Sequence, residues 1–194
     1  MMPDHDNLIV ITGGPGSGKT SLIAALGTAG FDVTVEAGRG VIQDQVAIGG
    51  DALPWRDPAA FAELMLAWEM RSYHMARERS GPVFFDRGVP DVLGYLRLMQ
   101  LPVPAHVERA AEVFRYSLRV FIAPPWREIF RQDAERKQDF AEAERTHAAM
   151  AETYAGLGYE LVMLPCVSIQ ERMSFIIGTL QDGSASSIGV TSRD

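Results

Sequence analysis

The chain is short of the residues that build several common kinds of site. Its 194 residues include one cysteine, Cys166, which excludes an internal disulfide and a cysteine-rich zinc site. Cys166 closes an apolar run, so it reads as a small core residue rather than a nucleophile. The four histidines are scattered and show no metal-ligand spacing. No apolar run approaches the roughly 20 residues of a membrane span. Met1 to Asn7 is a short polar leader without the pattern of a signal peptide. A cytoplasmic protein with no membrane partner is expected. Lysine is nearly absent: of 18 basic residues only Lys19 and Lys137 are lysines, a bias that carries no functional conclusion. The net charge of −7 argues against a broad nucleic-acid interface, which needs a basic face. What remains is an ordinary globular composition, 47% hydrophobic and 22% charged, at a length that suits a single domain.

One local pattern stands out from that background. Gly13-Gly14-Pro15-Gly16-Ser17-Gly18-Lys19-Thr20 fits G-x-x-x-x-G-K-[ST]. It lies between the apolar run Leu8–Ile11 and a helical pattern carrying Leu22, Ile23 and Leu26. This strand–loop–helix setting is that of a phosphate-binding P-loop. Glycines let the backbone wrap closely around phosphate, successive N–H groups point inward, and the helix N-terminus adds positive potential. The expected nucleotide site is Gly13, Gly14, Pro15, Gly16, Ser17, Gly18, Lys19, Thr20 and Ser21. Lys19 is expected to reach the β- and γ-phosphates and the Thr20 hydroxyl to ligate Mg²⁺. The only asparagine is Asn7, upstream of the loop, so the guanine-reading Asn-Lys-x-Asp motif is missing and ATP is the expected nucleotide.

Strand-like runs recur at 8–12, 32–35, 82–85, 118–122 and 160–164. Phe61, Leu64, Met65, Trp68 and Met75 predict one helical face across 57–80. Phe140, Ala143, His147, Met150, Tyr154 and Leu157 predict a second long helix ended by Gly158. Ser168 and Glu171 form a capping box before a third helix bearing Ile169, Met173, Ile176, Ile177 and Leu180. Leu101-Pro102-Val103-Pro104 breaks another helical region in two, and 49–58 reads as a loop. Short apolar strands alternating with amphipathic helices predict an α/β three-layer αβα sandwich around a five-stranded parallel sheet. Residues 1–181 are expected to form the domain, and 182–194, rich in Ser and Gly, a flexible tail.

Ligands of such sheets collect beyond the carboxyl ends of the strands. Val83-Phe84-Phe85-Asp86 ends a strand in a carboxylate, the Walker B arrangement, with Asp86 as a metal ligand; a helix cap is the alternative. Asp86-Arg87-Gly88 resembles the Asp/Glu-Arg signature of thymidylate and deoxynucleoside kinases, whose arginine contacts substrate or phosphate. The alternative is an Arg87 paired structurally with Asp86 or Glu36. After the second strand, Glu36 could accept the proton of an acceptor hydroxyl and Arg39 hold an anionic part of the acceptor. A helix cap by Glu36 beside a solvated Arg39 is the competing reading.

Residues 124–140 follow the fourth strand, where nucleoside-monophosphate kinases carry a short helical lid. Arg131 and Arg136, and less strongly Arg127, are the candidates to stabilise charge on a transferring phosphoryl group. Arg131 with Glu135 and Asp133 with Lys137 are also spaced as ordinary i,i+4 surface pairs. Trp55, Phe61 and Trp68 could offer stacking surface to a ring, although core packing suits Phe61 and Trp68 as well.

Taken in succession, Gly13–Thr20, Glu36–Arg39, Asp86–Asp91, Pro124–Phe130 and Asp133–Arg136 resemble an AAA-like P-loop family related to the ribosylnicotinamide-kinase domain of NadR. The resemblance covers residues 8–165. It implies an ATP- and Mg²⁺-dependent kinase or ATPase with a small-molecule acceptor, and it does not name that acceptor. Two function classes follow. One is a phosphotransferase using Lys19, Asp86, Arg87, Glu36, Arg131 and Arg136, with Glu36, Arg39 and Arg87 at the acceptor. The other is a stand-alone ATPase or nucleotide switch acting through a protein partner.

Overall fold

A computed structural model describes residues 6–130 and 139–186, with side chains through residue 182. The central strand β1 (Leu8–Gly13) is buried along its whole length. Its uninterrupted apolar sequence is what a strand covered on both faces requires. β3 (Val83–Asp86) and β4 (Arg119–Ala123) flank it, and β2 (Asp32–Val33) and β5 (Glu160–Met163) form the edges. The sheet order is β2-β3-β1-β4-β5, with every pairing parallel. The expected five-stranded parallel sheet is therefore what forms.

The helices are α1 (Lys19–Thr28), α2 (Ala37–Ile48), α3 (Pro58–Ala76), α4 (Val89–Leu98), α5 (Ala105–Val113), α6 (Phe140–Gly156) and α7 (Ile169–Ser186). They cover the sheet in two layers, divided by the two-residue alternation of the strands. Leu8, Val10 and Phe85 face a core shared with α2–α6. Ile9, Ile11 and Phe84 face a core shared with α1 and α7. Among the described residues no helix is long and apolar enough to cross a membrane.

Several boundaries follow local chemistry. Asp57 caps α3, its side chain accepting from the Ala60 N–H at 2.9 Å, with Pro58 in the first turn. Asp139 caps α6 in the same way, through the Glu142 N–H at 2.7 Å. The box at Ser168 and Glu171 is closed in both directions.

Three sequence expectations need correction. The buried face of α3 carries Phe61, Ala62, Met65, Leu66, Glu69, Tyr73 and Ala76, while Leu64 and Met75 are exposed. At about 100° per residue, that face is rotated by roughly one residue from the one expected. The apolar residues of α3 spread around more than half the helix, so their spacing alone does not select the buried side. Second, α7 continues through residues 182–186, past the expected start of the tail. The helical backbone outlasts the apolar stripe that ends at Leu180; residues 187–194 lie outside the described ones. Third, Cys166 is exposed. It sits beyond β5, in the loop leading to α7, past Leu164, the last residue of that run to enter the core.

Candidate active site

The turn from β1 into α1 is built on glycine. Gly13, Gly16 and Gly18 hold φ of 131°, 68° and 81°, a region open mainly to glycine. A Cβ on Gly14 would run into the Ala143 backbone, and one on Gly16 into the Phe130 ring. Gly18 is the N-cap of α1 and offers no side chain to it, so none competes for the first-turn N–H groups. Lys19 is buried, its Nζ donating to the Gly14 carbonyl at 2.6 Å and lying 3.2 Å from Ser17 Oγ. Thr20 and Ser21 are exposed at the same helix end.

Arg172 of α7 braces this loop from outside. Its Nη1 donates to the Ser17 carbonyl at 2.8 Å and its Nε to the Pro165 carbonyl at 2.8 Å. The guanidinium lies over the Trp126 ring, 4.8 Å from the centroid. The loop opens into a cavity of ≈ 540 Å³. Its walls are Pro15–Ser21, Glu36, Arg39, Trp126, Ile129, Phe130, Val167–Ile169 and Arg172.

A second cavity, of ≈ 400 Å³, lies between α2, α3, α4 and α6. Its walls are largely apolar, with Ile42, Phe61, Met65, Val92, Tyr95, Leu98, Met99 and Met150, and the exposed Trp55 also lines it. Phe61 and Tyr95 meet edge to face, their centroids 5.5 Å apart. Trp68 is elsewhere: it packs across Gly40, half-buried against the core. Glu36 and Pro15 line both cavities, so the two meet at these residues.

The polar lining of the second cavity is a buried charge network. Arg87, at φ 75°, donates from Nε to Glu36 Oε1 at 3.2 Å and from Nη1 to Asp91 Oδ1 at 3.0 Å. Burial alone would lower its pKa, but the carboxylates of Asp91, Glu36 and Asp86 outweigh that and raise it. Arg87 is a fixed cation. Asp91 also accepts from Thr12 Oγ1, from the Gly88 N–H at 3.0 Å and from the Tyr154 hydroxyl at 2.6 Å. Burial, followed by the Asp91 charge, pushes the Tyr154 hydroxyl well above its ordinary range.

Glu69 lies on the same cavity wall, 3% exposed. Its carboxyl makes no hydrogen bond or ion pair among the described residues. Burial, then the negative charges of Asp91 and Asp86, raises its pKa well above 4.5, with Arg87 pulling the other way.

The competing readings of the expected residues can now be compared. Glu36 stands at the N-cap of α2 but makes no side-chain cap bond; it pairs with Arg87 instead, with Arg39 Nε 3.9 Å away. Arg39 lines the first cavity. Asp86 is 3% exposed at the end of β3, in register with Ile11 of β1. The N-cap of α4 is Gly88, so Asp86 is not the cap of that helix. Arg87 combines two of its expected settings, paired with Glu36 and placed at the cavity wall. Of the lid, Arg127 lies over the Phe140 ring at 3.9 Å. Arg131 and Arg136 lie outside the described residues. Glu69, Asp91 and Arg172 were missed. Asp91 had a signal, the capping-box spacing Gly88-x-x-Asp91 at the start of α4. Glu69 and Arg172 had none in the sequence.

The AAA domain family model matches residues 8–172. The chain belongs to the AAA domain family. No curated protein has a significantly similar sequence. Among solved structures, this AAA domain is similar to deoxyadenosine kinase from M. mycoides. The structure with the products dCMP and a flexible dCDP bound has 13% identity and a TM-score of 0.62, covering 90% of this chain and 98% of that one. The structure with dATP has 13% identity and a TM-score of 0.58 over 89% and 98%; the one with dCTP has 12% and 0.60 over 90% and 98%. At that identity the likeness shows the fold, a P-loop NTPase fold of the nucleoside-kinase type. The relation to NadR expected from sequence is not reached by these similarities.

Proposed function

We propose that this AAA domain is a phosphotransferase that moves the γ-phosphoryl group of ATP to a hydroxyl of a small molecule. The observation that carries the reading is the meeting of two cavities at Glu36 and Pro15, one opening from the P-loop and the other lined by apolar side chains and Arg87. A nucleotide switch needs the first cavity alone. A transferase needs both, joined where the phosphoryl group crosses.

The residues of the first cavity suit a nucleoside triphosphate. Glycine-made clearance and the α1 N-terminus fit phosphate, Lys19 supplies positive charge, and Trp126, Ile129, Val167 and Ile169 give apolar surface for a base. Thr20 and Asp86 supply hard oxygen donors of the kind Mg²⁺ prefers, and would hold it. The metal would neutralise charge on the phosphates. For transfer, the acceptor hydroxyl oxygen forms a bond to phosphorus as the bond to the ADP oxygen breaks, and the hydroxyl proton passes to a carboxylate. Glu36, at the junction of the cavities, is in place to take that proton, and Asp86 is the alternative base. Arg87 neutralises the carboxylates around it and orients Glu36. The lid reading of 124–140 belongs to this proposal, with Arg131 and Arg136 closing over the phosphates.

The deoxynucleotides bound by deoxyadenosine kinase make nucleoside-sized acceptors the first class to try. The test is ADP release in the presence of ATP and Mg²⁺, with and without such acceptors. Release that depends on an acceptor supports transfer. Release indifferent to every acceptor and raised only by a protein supports the switch.

A further inference from the structure

The second cavity contains a carboxyl group that has no partner among the described residues. Glu69 is 3% exposed, lines the cavity and makes no hydrogen bond or ion pair among the described residues. Buried carboxyls are normally paired, and one left alone carries the full cost of desolvation. Its neighbours do not relieve it. Asp91, Asp86 and Glu36 add negative charge, and the nearby cation Arg87 is already held by Glu36 and Asp91. The Tyr95 hydroxyl on the same wall is also buried with no hydrogen-bond partner among the described residues. Among the described residues the lining carries the carboxylates Glu36, Glu69, Asp91 and Glu142 and one cation, Arg87.

These features describe what the cavity accepts. We infer that the phosphoryl acceptor is a nitrogen-bearing hydroxyl compound without a phosphate, and that Glu69 determines this choice by accepting a hydrogen bond from an amine or ring N–H. An amine-bearing occupant supplies the donor that Glu69 lacks, and a charge-assisted bond to the ionised carboxylate is stronger than one to a neutral amide. A phosphomonoester brings negative charge into a low-dielectric site already rich in carboxylates, with no unengaged cation among the described lining residues to receive it. The apolar walls, with the Phe61 and Tyr95 rings, suit the flat body of a heterocycle. This inference rests on the phosphotransfer reading for the word acceptor, but the selectivity of the cavity can be read without turnover.

The experiment uses the full chain and its Glu69→Gln variant, with binding followed by thermal shift and calorimetry. The probes are adenosine, cytidine and pyridoxamine; their phosphate-bearing counterparts AMP, CMP and pyridoxamine phosphate; and ribose and glycerol, which lack nitrogen. ATP with Mg²⁺ is titrated separately. The expected result is that at least one unphosphorylated nitrogen compound binds, at least tenfold more tightly than its phosphate ester. Glu69→Gln should weaken that binding at least fivefold and change its dependence on pH, with ATP affinity within twofold of the parent. Preference for the phosphate esters, binding of ribose or glycerol alone, binding by none of the probes, or equal binding by Glu69→Gln would each overturn the inference. Failure of ATP to bind would instead overturn the phosphotransfer reading, whatever the acceptor probes show.

Discussion

Arg172 and Ser17 are 155 residues apart in sequence, yet the arginine Nη1 donates to the serine carbonyl at 2.8 Å. The bond ties α7 to the phosphate loop, and the guanidinium also rests on Trp126 in the wall of the same cavity. A short loop built from glycines gains little rigidity from its own side chains. A buried cation on a packed helix supplies it from outside.

Arg172→Met should therefore loosen the loop while keeping much of the side-chain volume. Two carbonyl partners lose a charged donor, which predicts a loss of about 2–4 kcal/mol in urea unfolding. ATP affinity should fall more than acceptor affinity, because the cavity between α2, α3, α4 and α6 does not include Arg172. Equal weakening of both ligands by calorimetry would assign Arg172 to general stability.

Asp91→Asn should be strongly destabilising. The carboxylate accepts from Thr12, Arg87, Gly88 and Tyr154, and its loss leaves the Arg87 cation with Glu36 alone. Breaking a buried ion pair predicts a cost of about 3–5 kcal/mol in chemical unfolding. Tyr154→Phe removes one of the four bonds and should cost about 1.5–3 kcal/mol. If both variants unfold with the parent, the network is not what holds α4 and α6 against β1.

Glu69 predicts a pH dependence whose sign is fixed by the direction of its shift. Its pKa is raised above 4.5 in the folded protein, so the folded state holds this proton more tightly than the unfolded chain. Its contribution to stability is fully present below the ordinary value and is lost as pH rises through the folded value. The parent should lose stability relative to Glu69→Gln across that window, by at most about 1.4 kcal/mol per pH unit. The groups facing it, Asp91, Asp86, Glu36, Arg87 and Tyr116, are common to both proteins. Parallel stability curves from pH 5 to 8 would contradict the shift.

The glycine-rich loop was far more legible in the sequence than the second cavity. The loop at 13–20 is contiguous and its chemistry depends on backbone, so spacing alone reveals it. The strands were legible because β1, β3 and β4 are buried on both faces and read as unbroken apolar runs. The cavity between α2, α3, α4 and α6 draws on four helices, and its residues come together only through tertiary packing. Glu69 was hidden because a glutamate on an amphipathic helix normally marks the solvent side. Here the buried face of α3 runs through it. Arg172 was hidden for the matching reason, a charged residue near a helix start that turns inward toward a carbonyl 155 positions away.

Lys19→Ala should remove Mg·ATP binding with little loss of fold, since its Nζ donates to the Gly14 carbonyl and lies beside Ser17 Oγ, both in the loop itself. Asp86→Asn should keep much of the nucleotide affinity and lose turnover, because an amide holds Mg²⁺ poorly. Calorimetry and steady-state rates on the two variants separate phosphate binding from metal-dependent chemistry. Unchanged ATP affinity in the first, or unchanged turnover and Mg²⁺ dependence in the second, would remove that residue from its assigned role.

The central claim is transfer between two joined cavities, and the fate of the γ-phosphorus tests it most directly. Phosphorus NMR of the protein with ATP, Mg²⁺ and the nitrogen-bearing acceptor that binds most tightly should show a new phosphomonoester resonance growing in step with ADP. Glu36→Gln should slow that growth by orders of magnitude while both ligands still bind. Appearance of the phosphorus as inorganic phosphate alone, at the same rate with and without acceptor, would contradict the account.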